Sequence, residues 1–135
     1  MSVLPQPLGA ITLFVADLQR AHQFYRDVFG RQVVYQDAQS AVFDFGSILI
    51  NLLENDAARI FVDPEPIGPR DAGARFALSI WVEDVDAICL ELRRLGVGLL
   101  AGPLDRDWGK RTANFADPDG HLWEIAQAIP AAATD

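Results

Sequence analysis

Cysteine is almost missing from this sequence: Cys89 stands alone in 135 residues. A lone cysteine excludes an intramolecular disulfide and any Cys-rich zinc site. Histidine is nearly as scarce, with only His22 and His121, so a metal centre built from two histidines and a carboxylate would need both. Basic residues are few as well, 11 Lys and Arg against 19 Asp and Glu, for a formal net charge of −8. That balance argues against a nucleic-acid backbone or an anionic lipid surface as partner and favours a cationic or neutral small molecule. No apolar run approaches the ~18 residues that can span a bilayer, and the proline-containing start has no basic segment. Neither an export signal nor a membrane anchor is expected, and the cytoplasm is the expected compartment. Gly-rich phosphate loops, a Ser-His-Asp arrangement and a basic aromatic patch are also lacking.

What is there is apolar residue, 50% of the chain, enough for one domain of this length to form a core without disulfide or metal staples. Its distribution is periodic. Ala10 to Val15 reads as a buried strand, and Asp17 after it can cap a helix by accepting free N–H groups of the first turn. Ala21, Phe24, Tyr25 and Val28 then mark one helical face, ended by Gly30. Three short strands are expected at Gln32 to Gln36, Ala41 to Phe45 and Ser47 to Leu53, separated by turn-forming residues. Residues 54–75, with Pro64, Pro66 and Pro69, read as a connector with at most a short element at Ile60 to Val62.

The pattern then starts again. Phe76 to Val82 is a strand, Asp84 a cap, and Val85, Ile88, Cys89 and Leu92 a helical stripe closed by Gly96. Strands follow at Val97 to Leu100, Arg111 to Ala116 and His121 to Gln127, the last two joined by an Asp117-Pro118-Asp119-Gly120 turn. The Ala-rich tail from Pro130 is expected to fray. Val15-Ala16-Asp17 recurs as Val82-Glu83-Asp84, Gly30 as Gly96, and Ile50-Asn51-Leu52 as Trp123-Glu124-Ile125. The chain is therefore read as one α+β domain of two βαβββ modules, about 8–54 and 76–127, with a connector at 55–75 and a tail at 128–135.

Three segments carry a family likeness: VADLQRAHQFYRDVFG (15–30), VEDVDAICLELRRLG (82–96) and WGKRTANFADPDGHLWEIAQ (108–127). With them the sequence resembles the vicinal oxygen chelate superfamily, which includes glyoxalase I, extradiol dioxygenases, fosfomycin-resistance enzymes and bleomycin-resistance proteins. The resemblance implies curled mixed sheets around a concave cleft, and a homodimer. It also implies a place for four metal ligands, one on the first and one on the last strand of each module. The first-strand position lies five residues before the Val that precedes the capping Asp. In this sequence the four positions hold Ala10, Asn51, Ala77 and Glu124, and only Glu124 is a strong ligand, so no metal and no cofactor is expected. A bulge that reversed strand parity would bring His121 in instead. Otherwise His121 and Trp123 face the helix, and His22, between core positions of the first helix, is solvated.

Strand alternation extends the cleft lining to Thr12 and Phe14, to Ser79 and Trp81, and to Leu49, Leu53, Leu122 and Ala126. Phe14 and Trp81 are repeat-equivalent aromatics, each either ligand platform or core. The Trp108-Gly109 pair resembles the loop that borders the drug groove of bleomycin-resistance proteins, which favours a binding role for Trp108 over packing. A carboxylate buried among Phe14, Trp81 and Leu122 should be paired, protonated or functional, so Glu124 is either a structural partner of Arg106, Lys110 or Arg111, or the site's charged group. Cys89 lies on the apolar helical stripe, where a buried, inert thiol is expected. The expected function is sequestration of an aromatic or cationic compound such as an antibiotic, through Thr12, Phe14, Asn51, Ser79, Trp81, Trp108 and Glu124. The alternative is a glyoxalase- or dioxygenase-like lyase or oxidoreductase with Glu124 as general base or in a degenerate metal site. A third possibility is a cleft used only for dimerisation or a protein partner.

Overall fold

A computed structural model describes residues 2–130; the end of the tail, 131–135, lies outside the described residues. Two compact units, Met1–Gly68 and Pro69–Asp135, divide the chain. Each holds a four-stranded mixed sheet packed on a helix, which gives the α+β class.

In the first unit β1 (Ala10–Val15) leads into α1 (Leu18–Phe29), and β2 (Gln32–Gln36), β3 (Ser40–Asp44), β4 (Leu49–Glu54) and a second helix, α2 (Asn55–Val62), follow. The sheet order is β1-β4-β3-β2, with β1 and β4 parallel and the other pairs antiparallel. Asp17 is extended and its carboxylate accepts the Arg20 N–H at 3.1 Å, so α1 starts where a capping residue allows it. Gly30, at φ 62°, ends α1 in the left-handed region that glycine enters without strain. Leu13, Val15, Ala41, Phe43, Ile50 and Leu52 are all buried on one face of the sheet, under Ala21 and Tyr25 of α1. His22 belongs to this packing. Its ring lies 5.3 Å from that of Phe43 and is half-buried, because Phe43 projects far enough to reach it, so it is not the solvated side chain the helix pattern suggested.

The second unit repeats the order with β5 (Ala77–Trp81), α3 (Val85–Arg94), β6 (Leu99–Asp105), β7 (Lys110–Ala116) and β8 (Leu122–Ala128), arranged β5-β8-β7-β6. Asp84 caps α3 through the Ala87 N–H at 3.1 Å. At the other end the Val97 N–H reaches the Leu92 carbonyl and the Gly96 N–H the Arg93 carbonyl, both at 2.9 Å. This paired closure requires Gly96 at positive φ, here 82°. Val85, Cys89 and Leu92 of α3 bury against Ala113, Phe115, Trp123 and Ile125. Each large side chain so buried contributes about 1.5 to 3 kcal/mol. The Asp117 to Gly120 turn forms as expected, with Asp117 Oδ1 accepting the N–H groups of Asp119 and His121 at 2.9 Å each.

Two elements differ from the sequence reading. The prolines that marked 54–75 as a connector all follow Val62, and ahead of them Asn55–Val62 has room for two helical turns. Ala57 and Ala58 are strong helix formers, Ala58 is fully buried, and Asp56 pairs with Arg59 one turn on. The strand expected to end at Leu100 instead continues through Gly102-Pro103 to Asp105. A proline is tolerated there because β6 is an edge strand, and the ladder to β7 shifts register between Leu99 and Ala101 and again between Ala101 and Leu104.

Candidate functional site

Each sheet has one face on its helix and one face turned away from it; the expected site residues fall on the latter, except Trp108, which lies in the turn between β6 and β7. In the first unit Thr12 aligns with Asn51 across the parallel β1–β4 pair, and Val42 flanks Asn51 on the other side. Thr12, Phe14 and Asn51 are half-buried. The Phe14 ring meets Phe61 of α2 edge-on, with centroids 6.3 Å apart at 87°. The Asn51 Oδ1 atom is buried without a hydrogen-bond partner.

The second unit has the same register with different chemistry. Ser79 aligns with Glu124, and Glu124 with Asn114. The Ser79 hydroxyl donates to Glu124 Oε1 at 2.9 Å, and the neighbouring Asn114 Oδ1 is buried without a donor. One row along, Trp81 aligns with Ala126, and Ala126 with Thr112. Trp81 is 70% exposed and Trp108 65% exposed, so neither indole belongs to the core of the unit. Lys110 Nζ sits 5.0 Å from the Trp81 ring and the Arg106 guanidinium carbon 5.6 Å from the Trp108 ring, both within cation–π range. Arg106 Nε also donates to Thr112 Oγ1 at 3.0 Å.

The charges around Glu124 therefore differ from the expected structural pairing. Arg111 is drawn to the helix side, where it bonds both Asp86 oxygens at 2.9 Å and Asp105 at 3.0 Å. These bonds raise the Arg111 pKa above its ordinary value and hold the Asp86 carboxyl below the usual carboxylate range. Lys110 and Arg106 are turned to the tryptophans. Glu124 is half-buried rather than enclosed in apolar side chains, and its partner is a hydroxyl. Burial pushes the Cys89 thiol up, as expected for an inert side chain under α3.

The four positions implied as metal ligands do not fit a metal. Ala10 and Ala77 have no donor atom, Asn51 is a weak one, and Glu124 is alone among them. Among the described residues no group of three His, Cys, Asp or Glu side chains could hold an ion. On the other side of the first sheet, a groove of about 540 Å³ runs between α1 and the β2–β3 turn. Its carboxylates serve the fold: Asp17 caps α1, Glu54 Oε1 accepts the Leu18 N–H at 3.4 Å, and Asp37 accepts from Gln39, Tyr35 and Ser40.

The profile of the Glyoxalase/Bleomycin resistance protein/Dioxygenase superfamily matches residues 8–125. The chain belongs to this superfamily. It is 34% identical over 123 residues to the uncharacterized protein YraH of Bacillus subtilis (strain 168), covering 88% of this chain and 96% of that one. It is 27% identical over 121 residues to the metallothiol transferase FosB of Lysinibacillus sphaericus (strain C3-41), covering 89% and 81%. Among solved structures, a glyoxalase/bleomycin resistance protein/dioxygenase from Nocardioides superposes with a TM-score of 0.85 at 18% identity, over 99% of this chain and 91% of that one. A glyoxalase-related enzyme from Fulvimarina pelagi gives 0.77 at 25% identity, over 90% and 88%. No helix among the described residues is long and apolar enough to cross a membrane.

For this member of the superfamily, the sequence reading missed four residues on the face that holds the expected site residues: Lys110 and Arg106 as partners of the indoles, and Thr112 and Asn114 beside Glu124. The signal was available. Alternation applied to 110–116 puts Lys110, Thr112 and Asn114 on one face and Arg111 on the other, which separates the cations that the reading had grouped together.

Proposed function

We propose that this protein is a small-molecule binding protein of the bleomycin-resistance type, which sequesters an aromatic compound such as an antibiotic without turning it over. The observation that carries this reading is the pair of exposed indoles, Trp81 and Trp108, on the second unit. Each is braced by a cation of the same chain, and large rigid aromatics held in place on a surface are what flat ligands stack on. Ser79, Glu124 and the buried Asn114 Oδ1 supply polar groups on the same face, the last with an acceptor that a ligand N–H or O–H would satisfy. Thr12, Phe14 and Asn51 line the first unit's counterpart. A homodimer is part of the proposal, and size-exclusion chromatography with light scattering tests it.

The binding experiment is a thermal-shift screen of aromatic antibiotics with and without divalent metals. A ligand at 100 times its Kd adds about 2.7 kcal/mol, which for this length raises the midpoint by roughly 5 to 15 °C. A metal-independent shift that is lost in Trp81→Ala or Trp108→Ala supports sequestration. A shift produced by metal alone overturns it.

One contact favours a second reading. A carboxylate already holding a hydroxyl, as Glu124 holds that of Ser79, is placed to take a proton, so the alternative is a glyoxalase- or dioxygenase-like lyase or oxidoreductase with Glu124 as base. Turnover of an α-oxo thiol adduct or a catechol that disappears in Glu124→Gln would establish it, and turnover unaffected by that change would remove Glu124 from it.

A further inference from the structure

The net charge of −8 favoured a cationic or neutral ligand, and the base of the β6–β7 hairpin gives reason for the opposite sign. The Arg106 N–H donates to the Lys110 carbonyl at 2.7 Å, so the two residues close the hairpin opposite each other. Both side chains lie on the site-bearing face, one over Trp108 and bonded to Thr112, the other over Trp81. Like charges directly across a ladder repel, with Cβ atoms about 4.5 to 5.5 Å apart. Elsewhere in this acidic chain arginines have found carboxylates: Arg26, Arg59, Arg94 and Arg111 all make ion pairs. Among the described residues, neither Lys110 nor Arg106 has a carboxylate within 4.0 Å.

The guanidinium is also prepared. Arg106 Nε is committed to Thr112 Oγ1, which fixes the plane of the group, while its two terminal nitrogens have no hydrogen-bond partner among the described residues. A fixed fork with free terminal N–H groups matches the two oxygens of a carboxylate or similar oxyanion. The acid on this face pairs with neither cation: Glu124 accepts from the Ser79 hydroxyl and makes no ion pair with Lys110 or Arg106 among the described residues. The net charge of −8 is a property of the whole surface, whereas a docked group responds to the charges it touches.

We infer that the ligand is an aromatic anion, whose acidic group bridges Lys110 Nζ and the Arg106 guanidinium while its ring lies against Trp81 and Trp108. This rests on the binding reading above and gives that reading a sign.

The test is calorimetric titration of the full chain with three probes of one shape: naphthoate, naphthylmethanol and naphthylmethylammonium. Naphthoate is expected to bind about tenfold more tightly than the alcohol, from one charge-assisted contact set, and the ammonium more weakly than either. Lys110→Gln and Arg106→Gln should each lower the naphthoate-to-alcohol affinity ratio by about that tenfold, whatever either does to the stacking that both probes share. Should either variant fail to fold, raising the salt on the unaltered protein serves instead, since it should weaken naphthoate selectively. If the ammonium binds as tightly as the carboxylate, or both variants keep the naphthoate-to-alcohol ratio, the anion inference falls and the binding reading stands. If none of the three probes binds, both fall.

Discussion

Replacing Gly102 by alanine isolates the close approach of β6 to β7 that holds the tryptophan-bearing hairpin together. Gly102 lies in β6 at φ 87°, and a Cβ placed there lands on the Thr112 carbonyl oxygen and within 2.9 Å of Ala113 Cα. Both are backbone atoms of β7, so no side chain can swing aside. The left-handed backbone costs an L-residue about 1 to 2 kcal/mol, and forcing a methyl into filled space adds about 1 to 3 kcal/mol. Gly102→Ala should therefore destabilise the protein by about 2 to 5 kcal/mol, a fall of roughly 8 to 20 °C in thermal midpoint for a chain of this length. Gly109→Ala is the matched control. It sits in the same hairpin at φ 80° with nothing within 4 Å of its Cβ, so it pays only the backbone strain. The gain from stiffening the unfolded chain is common to both and cancels. Differential scanning calorimetry of the two variants reads the difference, expected at about 1 to 3 kcal/mol. Equal midpoints would refute the argument, because β6 would then not approach β7 as closely as the Gly102 backbone requires.

Two further outcomes follow from other parts of the structure. Cys89 is 1% exposed beneath α3 with its thiol pushed up by burial, so an aromatic disulfide reagent at neutral pH should label the native protein no faster than it unfolds; rapid stoichiometric labelling would contradict the packing of α3. The Asp86 carboxyl is held below its ordinary range by Arg111, and that of Asp37 by the Gln39 N–H, the Tyr35 hydroxyl and Ser40. A depressed folded-state pKa gives stability that is present above the unfolded value of about 3.9 and is lost as pH falls through the folded one. Urea midpoints should therefore drop below about pH 4, and Arg111→Met should flatten part of that drop. An unchanged acid limb in Arg111→Met would show that the Asp86 pair contributes nothing to it.

The parts of the fold that could be read from the sequence are those whose causes are local. Asp17 and Asp84 cap their helices because a short acid after a strand run has few other roles, and the Asp117 to Gly120 turn is specified by its own four residues. Alternation along β1, β4, β5 and β8 correctly separated Thr12, Phe14, Asn51, Ser79, Trp81 and Glu124 from the core-facing Leu13, Ile50, Trp123 and Ile125. Helix α2 was hidden because the prolines after Val62 coloured the whole stretch, and the burial of Ala58 that stabilises it comes from the sheet. Strand β6 was cut short because Gly-Pro is a break anywhere except at an edge. The pairing of Lys110 and Arg106 with the two indoles depends on which residues stand opposite across a hairpin with shifted register, and that is fixed by β6 and β7 together.

The irregularity of β6 bears on how this protein behaves at high concentration. An outermost strand normally offers an incoming chain an unbroken row of donors and acceptors, the starting point of fibrillar growth. Pro103 removes a donor from that row, and the register shifts on either side of Ala101 spoil its spacing. The exposed, tryptophan-bearing hairpin can thus stand at the rim of the second sheet without serving as a template for strand addition. A substitution that regularised this edge should lower the protein's solubility.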